Sequence, residues 1–407
     1  MKRASFPLDL SALAYPMMQS KRTQSNFRFS ARLIEPVDPL ILEQSLSEVI
    51  PFYPNLKTRI VPSFFWHKFV KNDAPLLVKE DSRPPLTPLR KEDTNGYPFR
   101  LAYQGDEIIL EVFHAATDGD IGALFFSDIL TRYAEIRENR EKSDLNRNLV
   151  LSDAFRLNAK KKSLFDISLG AYNGTSVHAL GKKGNYLPYP TLLSCEIAIP
   201  ELKAAAKGWG ATVTEYVAAC YIRAILEKRT APLKKSICLF VPVNLRRFFP
   251  SNTLQNFVCF ERIVLKKGES DFSFERILSL VHEEFAEKIT KESMQAHVDD
   301  INRCFTLPWV KGIPLFIKKP CFKFVKWLMD KVRQTAILSN IGSLPLPEKT
   351  AAFVKDVKFF LNVGKNTPLN VAVVSYNGIC HIDITCGLKE SALPERFFRI
   401  LQTQGKK

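Results

Sequence analysis

The first third of the chain alternates apolar with polar residues, shifts to helical spacing, and then alternates again. "NFRFSARL" (26–33) places an apolar side chain at every second position and predicts a strand. From Asp38 onward "PLILEQSLSEV" predicts a helix with Leu40, Leu42 and Leu46 facing inward, and "NLKTRI" returns toward strand. "YPFRLAYQGDEIILEVF" (97–113) carries two strand-like runs about a Gln-Gly-Asp break and predicts a hairpin. "DIGALFFSDILTRYAEI" follows as a helix, because Ile121, Leu124, Phe125, Ile129 and Tyr133 recur at helical spacing.

The later chain repeats this grammar. Strand "TLLSCEIAI" leads into helices "PELKAAAKG" and "TEYVAACYIRAILEKR", then strands "SICLFVPV" and "NFVCFERIVL". Helix "DFSFERILSLVHEEFAEKI" precedes strands "TAILSNIG" and "VKFFLNV". In "VAVVSYNGICHIDITC" the pair Asn377-Gly378 between two alternating runs is a strong type I′ hairpin signal. Strands mixed with helices in both parts indicate two α/β sandwiches, α+β in layering, and not a regular parallel array. A stretch rich in Gly, Lys and Asn near 157–189 separates them. The expected organisation is a first half over 1–160, a crossover over 161–189 and a second half over 190–407. A length of 407 residues is ample for two cores.

The candidate chemistry lies at 113–119, "FHAATDG", where a strand gives way to a helix start. His114 is either a base or a hydrogen-bonded structural residue; Asp118 suits the N-cap of the following helix, and Gly119 its turn. Eight cysteines without a CxxC pair or a nearby His argue against zinc or a disulfide framework, so no metal is expected. Free thiols fit a reducing cytoplasm, the expected location, and Asp9 and two prolines interrupt the opening segment, which argues against a secretory signal. The net charge of +16 calls for an anionic partner. Without a helix-turn-helix, zinc finger or RNP motif, nucleic acid is not expected.

"FHAATDG" resembles the HxxxDG motif of acyltransferases with the chloramphenicol acetyltransferase-like fold, which include alcohol acetyltransferases and condensation domains of peptide synthetases. Four further features fit: the opening "FRFSARLIEPVDPLILEQSLSEVIPFYPNLKTRI", "VPVNLRRFFPSNTLQNF", "LSNIG", and the length. Within that group the chain resembles stand-alone alcohol acetyltransferase-like, condensation-domain-related proteins. Amide-forming condensation domains carry two adjacent histidines where this chain has Phe113 and His114, which leans toward ester formation. The "FFLNVGK" stretch matches the late DFGWG signature of plant relatives only at Gly364.

The resemblance implies two similar halves with an active-site tunnel between them, an acyl-CoA co-substrate with no permanently bound cofactor, and a small alcohol acceptor. His114 would act as general base. Asp118 would turn from the substrate to pair with Arg246, and Ser339, with Asn340 beside it, would supply an oxyanion donor. For Arg246 the alternative is a surface arginine in a turn; for Ser339 and Asn340 it is ordinary turn chemistry ahead of Gly342 and Pro345. No GxSxG context is present, which favours direct attack over an acyl-enzyme. An acidic carrier protein is the alternative donor, a non-catalytic binding protein the alternative class, and a monomer the expected state.

Residues 303–333 carry eight basic residues against one acid. From Pro320 onward, Cys321, Phe324, Val325, Leu328 and Val332 share one helical face, and Lys319, Lys323 and Lys326 another. Such a helix either lies peripherally on an anionic membrane or packs on the second core with its lysines solvated. Of the remaining histidines, His282 falls on a helix and His381 in a strand, with His67, His178 and His297 in polar or loop settings; all five read as structural or surface residues.

Overall fold

The computed structural model describes residues 4–19, 24–160, 177–182, 184–329 and 334–404, with 323–329 as backbone only. Most of the expected crossover, 161–176 and residue 183, lies outside the described residues, as do Val332 and the side chains of the second half of the basic helix.

The first half supplies β1 (Ser5–Pro7), β2 (Asn26–Leu33), β3 (Thr58–Pro62), β4 (His67–Lys71), β5 (Val78–Glu80), β6 (Phe99–Gln104) and β7 (Glu107–Phe113). The second supplies β8 (Tyr186–Ala198), β9 (Ile237–Asn244), β10 (Val258–Leu265), β11 (Ala336–Ser343), β12 (Val354–Leu361), β13 (Leu369–Tyr376) and β14 (Ile379–Leu388). A six-stranded sheet runs β10-β9-β11-β13-β14-β8, with β11 parallel to both of its neighbours. A five-stranded sheet runs β12-β2-β7-β6-β5, and β1-β4-β3 form a small third sheet.

Helices cover one face of each large sheet. The first core gathers Phe27, Phe29, Leu110 and Val112 from strands with Leu42, Leu46, Phe125 and Ile129 from helices Pro39–Val49 and Gly119–Arg137. The second gathers Ile237, Leu338, Val371 and Ile382 with Tyr221, Ile277 and Phe397 from helices Val213–Leu226, Phe274–Lys288 and Leu393–Thr403. Asp38 caps the first helix, accepting from Leu40 N at 2.9 Å and Ile41 N at 3.3 Å. One expected contact is corrected: Leu40 is 77% exposed while Leu42, Leu46 and Val49 are buried. Two residues rotate a helix by about 200°, so Leu40 cannot share the face of Leu42 and Leu46. The Asn377-Gly378 hairpin forms as expected, with φ of 43° and 81° and Tyr376 paired with Ile379.

β12 comes from the second half of the chain and pairs antiparallel with β2 of the first, from Val354 opposite Leu33 to Leu361 opposite Phe27. It is tied to the other sheet as well. The buried Asp383 carboxyl on β14 accepts from Phe359 N at 2.8 Å and from the Ser194 hydroxyl, and burial pushes it up to about 7.

Candidate active site

β7 delivers His114 to the junction between the two sheets, where its backbone N–H donates to Ser25 O at 2.8 Å. The turn that follows is held from below. Asn55 donates to the carbonyls of Ala116 (3.1 Å) and Leu254 (3.0 Å), and the Thr117 hydroxyl to Leu254 O at 2.8 Å. Asp118 is fully buried and caps helix Gly119–Arg137, accepting from Ile121 N at 3.1 Å. Its second oxygen accepts from Arg246 Nη1 at 2.7 Å and Phe257 N at 2.9 Å. Arg246 also donates to the carbonyls of Thr253 and Gln255, so the pair bolts the first half's turn to the 253–257 loop of the second. Asp118 thus faces away from the cavity that His114 lines.

The imidazole is fixed on three sides. Tyr15 stacks on it with centroids 4.8 Å apart, and Phe27 meets it edge-on at 5.4 Å. Phe27 is itself wedged against Gly122, where an added Cβ would lie 2.5 Å from its ring. Nδ1 sits 2.9 Å from Asn256 Oδ1. The tautomer follows from the far end of that amide. Asn256 Nδ2 donates to Asp9 Oδ2 at 3.1 Å, so Oδ1 is an acceptor and Nδ1 must carry the proton. Nε2 is left with the lone pair. Burial pushes the imidazole below its ordinary pKa, against an opposing pull from Asp118, its own backbone, Asn256 and Asp9, so it is neutral near pH 7.

Asp9 accepts from the Ser11 hydroxyl at 2.6 Å, Ala12 N at 2.9 Å and both the backbone and side-chain nitrogens of Asn256. Burial pushes it up to about 6. Neither Asp9 nor Asn256 stands out in the sequence. Asn256 lies in the "LQNF" end of a resembling segment, but its link to an aspartate 247 residues away has no local signature.

A cavity of about 980 Å³ joins both halves, walled by Tyr15, Met18 and Phe27 on one side and by Val258, Phe260 and Ile337 on the other. Ser339 and Asn340 of β11 line it together with His114 and Gly119. Asn340 is occupied at both ends, donating to the Thr214 hydroxyl at 3.0 Å and accepting from Gly342 N at 2.9 Å. Ser339 is buried in the same wall, opposite Ala372 of β13. Gly119 has no positive φ; a Cβ there would make ordinary contact with Ile341 and Phe359. Asp120 also lines the cavity, its carboxyl pushed up to about 6 by burial and by Asp118.

Two of the histidines read as polar or loop residues fall inside regular elements. His297 lies on helix Lys291–Thr306, not in a loop, and its Nε2 is 2.6 Å from Glu261 Oε1. His67 begins β4, pairs across the hairpin with Pro62 of β3, and is buried. Among the described residues no cluster of His, Cys, Asp and Glu could hold a metal, and no helix is long and apolar enough to cross a membrane.

No protein-family model and no curated protein matches the chain. Solved structures do match over its whole length. Polyketide synthase associated protein 5 from Mycobacterium tuberculosis has a TM-score of 0.63 at 12% identity over 99% of both chains. The first condensation domain of the CDA synthetase gives 0.67 at 16% identity, over 99% of this chain and 96% of its own. A starter condensation domain of rhizomide synthetase, solved with C8-CoA and Leu-SNAC, gives 0.64 at 12%, over 99% and 95%. These likenesses establish the fold: two α/β sandwiches of the chloramphenicol acetyltransferase-like type, arranged as in condensation domains.

Proposed function

We propose that the protein is an acyltransferase of the alcohol acetyltransferase-like kind, which moves an acetyl or longer acyl group from an acyl-CoA thioester to an alcohol. The observation that carries this reading is the state of His114: a neutral imidazole with Nδ1–H given to Asn256 and Nε2 left as a base in the cavity wall. A hydroxyl is a poor nucleophile until its proton is being removed, and a base poised near neutrality does that. In the proposed step Nε2 takes the hydroxyl proton as the oxygen attacks the thioester carbonyl. The C–O bond forms, the negative charge on the carbonyl oxygen is met by Ser339, and collapse breaks the C–S bond. The leaving thiolate takes the proton back from Nε2. Asp118 and Arg246 act as positioning residues, since they hold the turn and never face the cavity.

The cavity volume is near the upper end for small-molecule sites and leaves room for an acyl chain beyond acetyl. A relative in fold binds C8-CoA, which supports acyl-CoA as donor and co-substrate. In this reading residues 1–160 and 190–407 are the two walls, 161–189 the crossover, and one chain suffices. An acidic carrier protein as donor is the second reading, supported by the condensation-domain fold and the charge of +16.

The test is thiol release from acetyl- and octanoyl-CoA with a panel of short and long alcohols, comparing the wild type with His114→Ala. Alcohol-dependent release that vanishes in the folded variant is expected. Silence with every CoA ester would sink the acyl-CoA reading, and transfer from a carrier-bound thioester instead would establish the second.

A further inference from the structure

Five exposed large apolar residues gather on one corner of the molecule. The tip of the β3–β4 hairpin, 62–65, is exposed at four successive positions and carries Phe64 and Phe65, edge-to-face at 4.7 Å. Against it sits the corner between helices Pro308–Gly312 and Leu315–Met329, where Leu315 N donates to Phe64 O at 2.7 Å. Phe316 and Ile317 follow Leu315 directly and are exposed, and Trp309 is exposed on helix Pro308–Gly312, whose Lys311 carbonyl accepts from Lys318 at 3.4 Å. Phe64 is 65% exposed, Trp309 61% and Phe316 72%, values that packing inside one chain does not explain. Lys318 pins the corner from beneath: its ammonium lies 3.4 Å from the centre of the Trp66 ring and donates to Phe65 O at 3.0 Å.

Charge identifies what covers this patch. Residues 57–72 hold four Lys or Arg and no acid, and 301–329 hold six and no acid, although the whole chain has 42 acids to 58 bases. Phenylalanines on a hairpin tip, exposed Trp309 and Phe316 on the neighbouring helices, and an excess of lysine and arginine over acids along both segments match the chemistry of an anionic bilayer surface: aromatics enter the headgroup layer while ammonium groups meet the phosphates. A hairpin tip is convex and offers no groove for a peptide. The location also matters. Helix Leu315–Met329, whose first turn carries Phe316 and Ile317, packs on the short helix Tyr15–Met18, whose Tyr15 and Met18 wall the cavity.

We propose that this corner docks the protein peripherally on an anionic lipid surface, with Phe64, Phe65, Trp309 and Phe316 in the headgroup layer. The docking residues differ from those the sequence suggests, since they precede Pro320. The proposal stands apart from the acyl-transfer reading and does not depend on it.

The experiment is co-sedimentation of the full chain with vesicles of pure phosphatidylcholine, and with vesicles in which about a third of it is replaced by phosphatidylglycerol. Binding to the anionic vesicles that weakens with added salt is expected. The double variant Phe64→Ser/Phe316→Ser should bind at least about tenfold more weakly, and Lys311→Gln about fivefold more weakly. Both should keep the wild-type melting temperature, because all three side chains are exposed. Equal partition onto neutral and anionic vesicles, or variants that sediment like the wild type, would overturn the proposal. So would a concentration-dependent dimer that the same substitutions dissolve, since the occupant would then be a second copy.

Discussion

Replacing Asn256 by leucine tests the base directly, because it keeps the volume near the imidazole and removes the acceptor for Nδ1–H. A neutral-group hydrogen bond contributes about 0.5–1.5 kcal/mol, so its loss lets the ring populate the tautomer with Nε2 protonated and swing off its axis. Together these predict a fall in kcat of about 10- to 100-fold, equivalent to about 1.4–2.7 kcal/mol, with KM nearly unchanged. The pH profile adds a second, independent reading. Activity requires the unprotonated ring, so it rises with pH through a pKa already below the ordinary histidine value. Asn256 accepts more strongly from the imidazolium and therefore raises that pKa; without it the acid limb moves to still lower pH. The assay is acyl transfer across pH 5 to 9 on protein shown to be folded. A plateau unchanged in the variant, or an acid limb displaced upward, would refute the assigned tautomer. Loss of folded protein alone would lower the plateau and leave the limb where it was.

Arg246→Met leaves Asp118 as a buried, uncompensated charge and strips donors from two carbonyls, so it should cost about 3–5 kcal/mol in urea unfolding; a loss under about 1 kcal/mol would contradict the bolt described above. Gly122→Ala drives a methyl into Phe27 and should cost about 1–3 kcal/mol and reduce kcat, with Phe27→Leu restoring stability in the double variant; additive losses would argue against the wedge. Ser339→Ala should lower kcat about 100- to 1000-fold if its hydroxyl meets the oxyanion, and a change under about threefold would remove it from that role. Burial pushes His67 down to about 4 in the fold, so the unfolded chain binds the extra proton and stability is lost as pH falls from 6.5 to 4. His67→Leu should flatten that loss by about 2–4 kcal/mol between pH 7 and 4, measured by urea unfolding at each pH.

The strand-turn-helix around His114 was readable because each part has a local cause: alternation up to Phe113, an N-capping Asp118, and helical spacing after it. The pairing of Asp118 with Arg246 came only through resemblance, as 128 residues separate them. What escaped were the tertiary links. Leu40 lies near Leu42 and Leu46 in the sequence, but it falls on the opposite side of the helix and is exposed. Asn256 and Asp9 escaped because a side chain's partner is set by how the two sheets meet, and a lone Asn or Asp looks the same in a loop tip as under an imidazole. The exposed corner at Phe64 and Phe316 escaped for a related reason: apolar residues in sequence read as core, and only the folded surface shows which of them are left outside it.

The late strand β12 also bears on how the protein is made. The first sheet lacks its edge beside β2 until residue 361 has left the ribosome, although β2 itself emerges more than three hundred residues earlier. During that interval β2 presents an open edge with Phe27 and Phe29 on it, the kind of template on which nascent chains aggregate. Synthesis rate and chaperone supply should therefore govern the yield of this protein more than its final stability does, and a chain truncated before Val354 should be recovered mainly as aggregate.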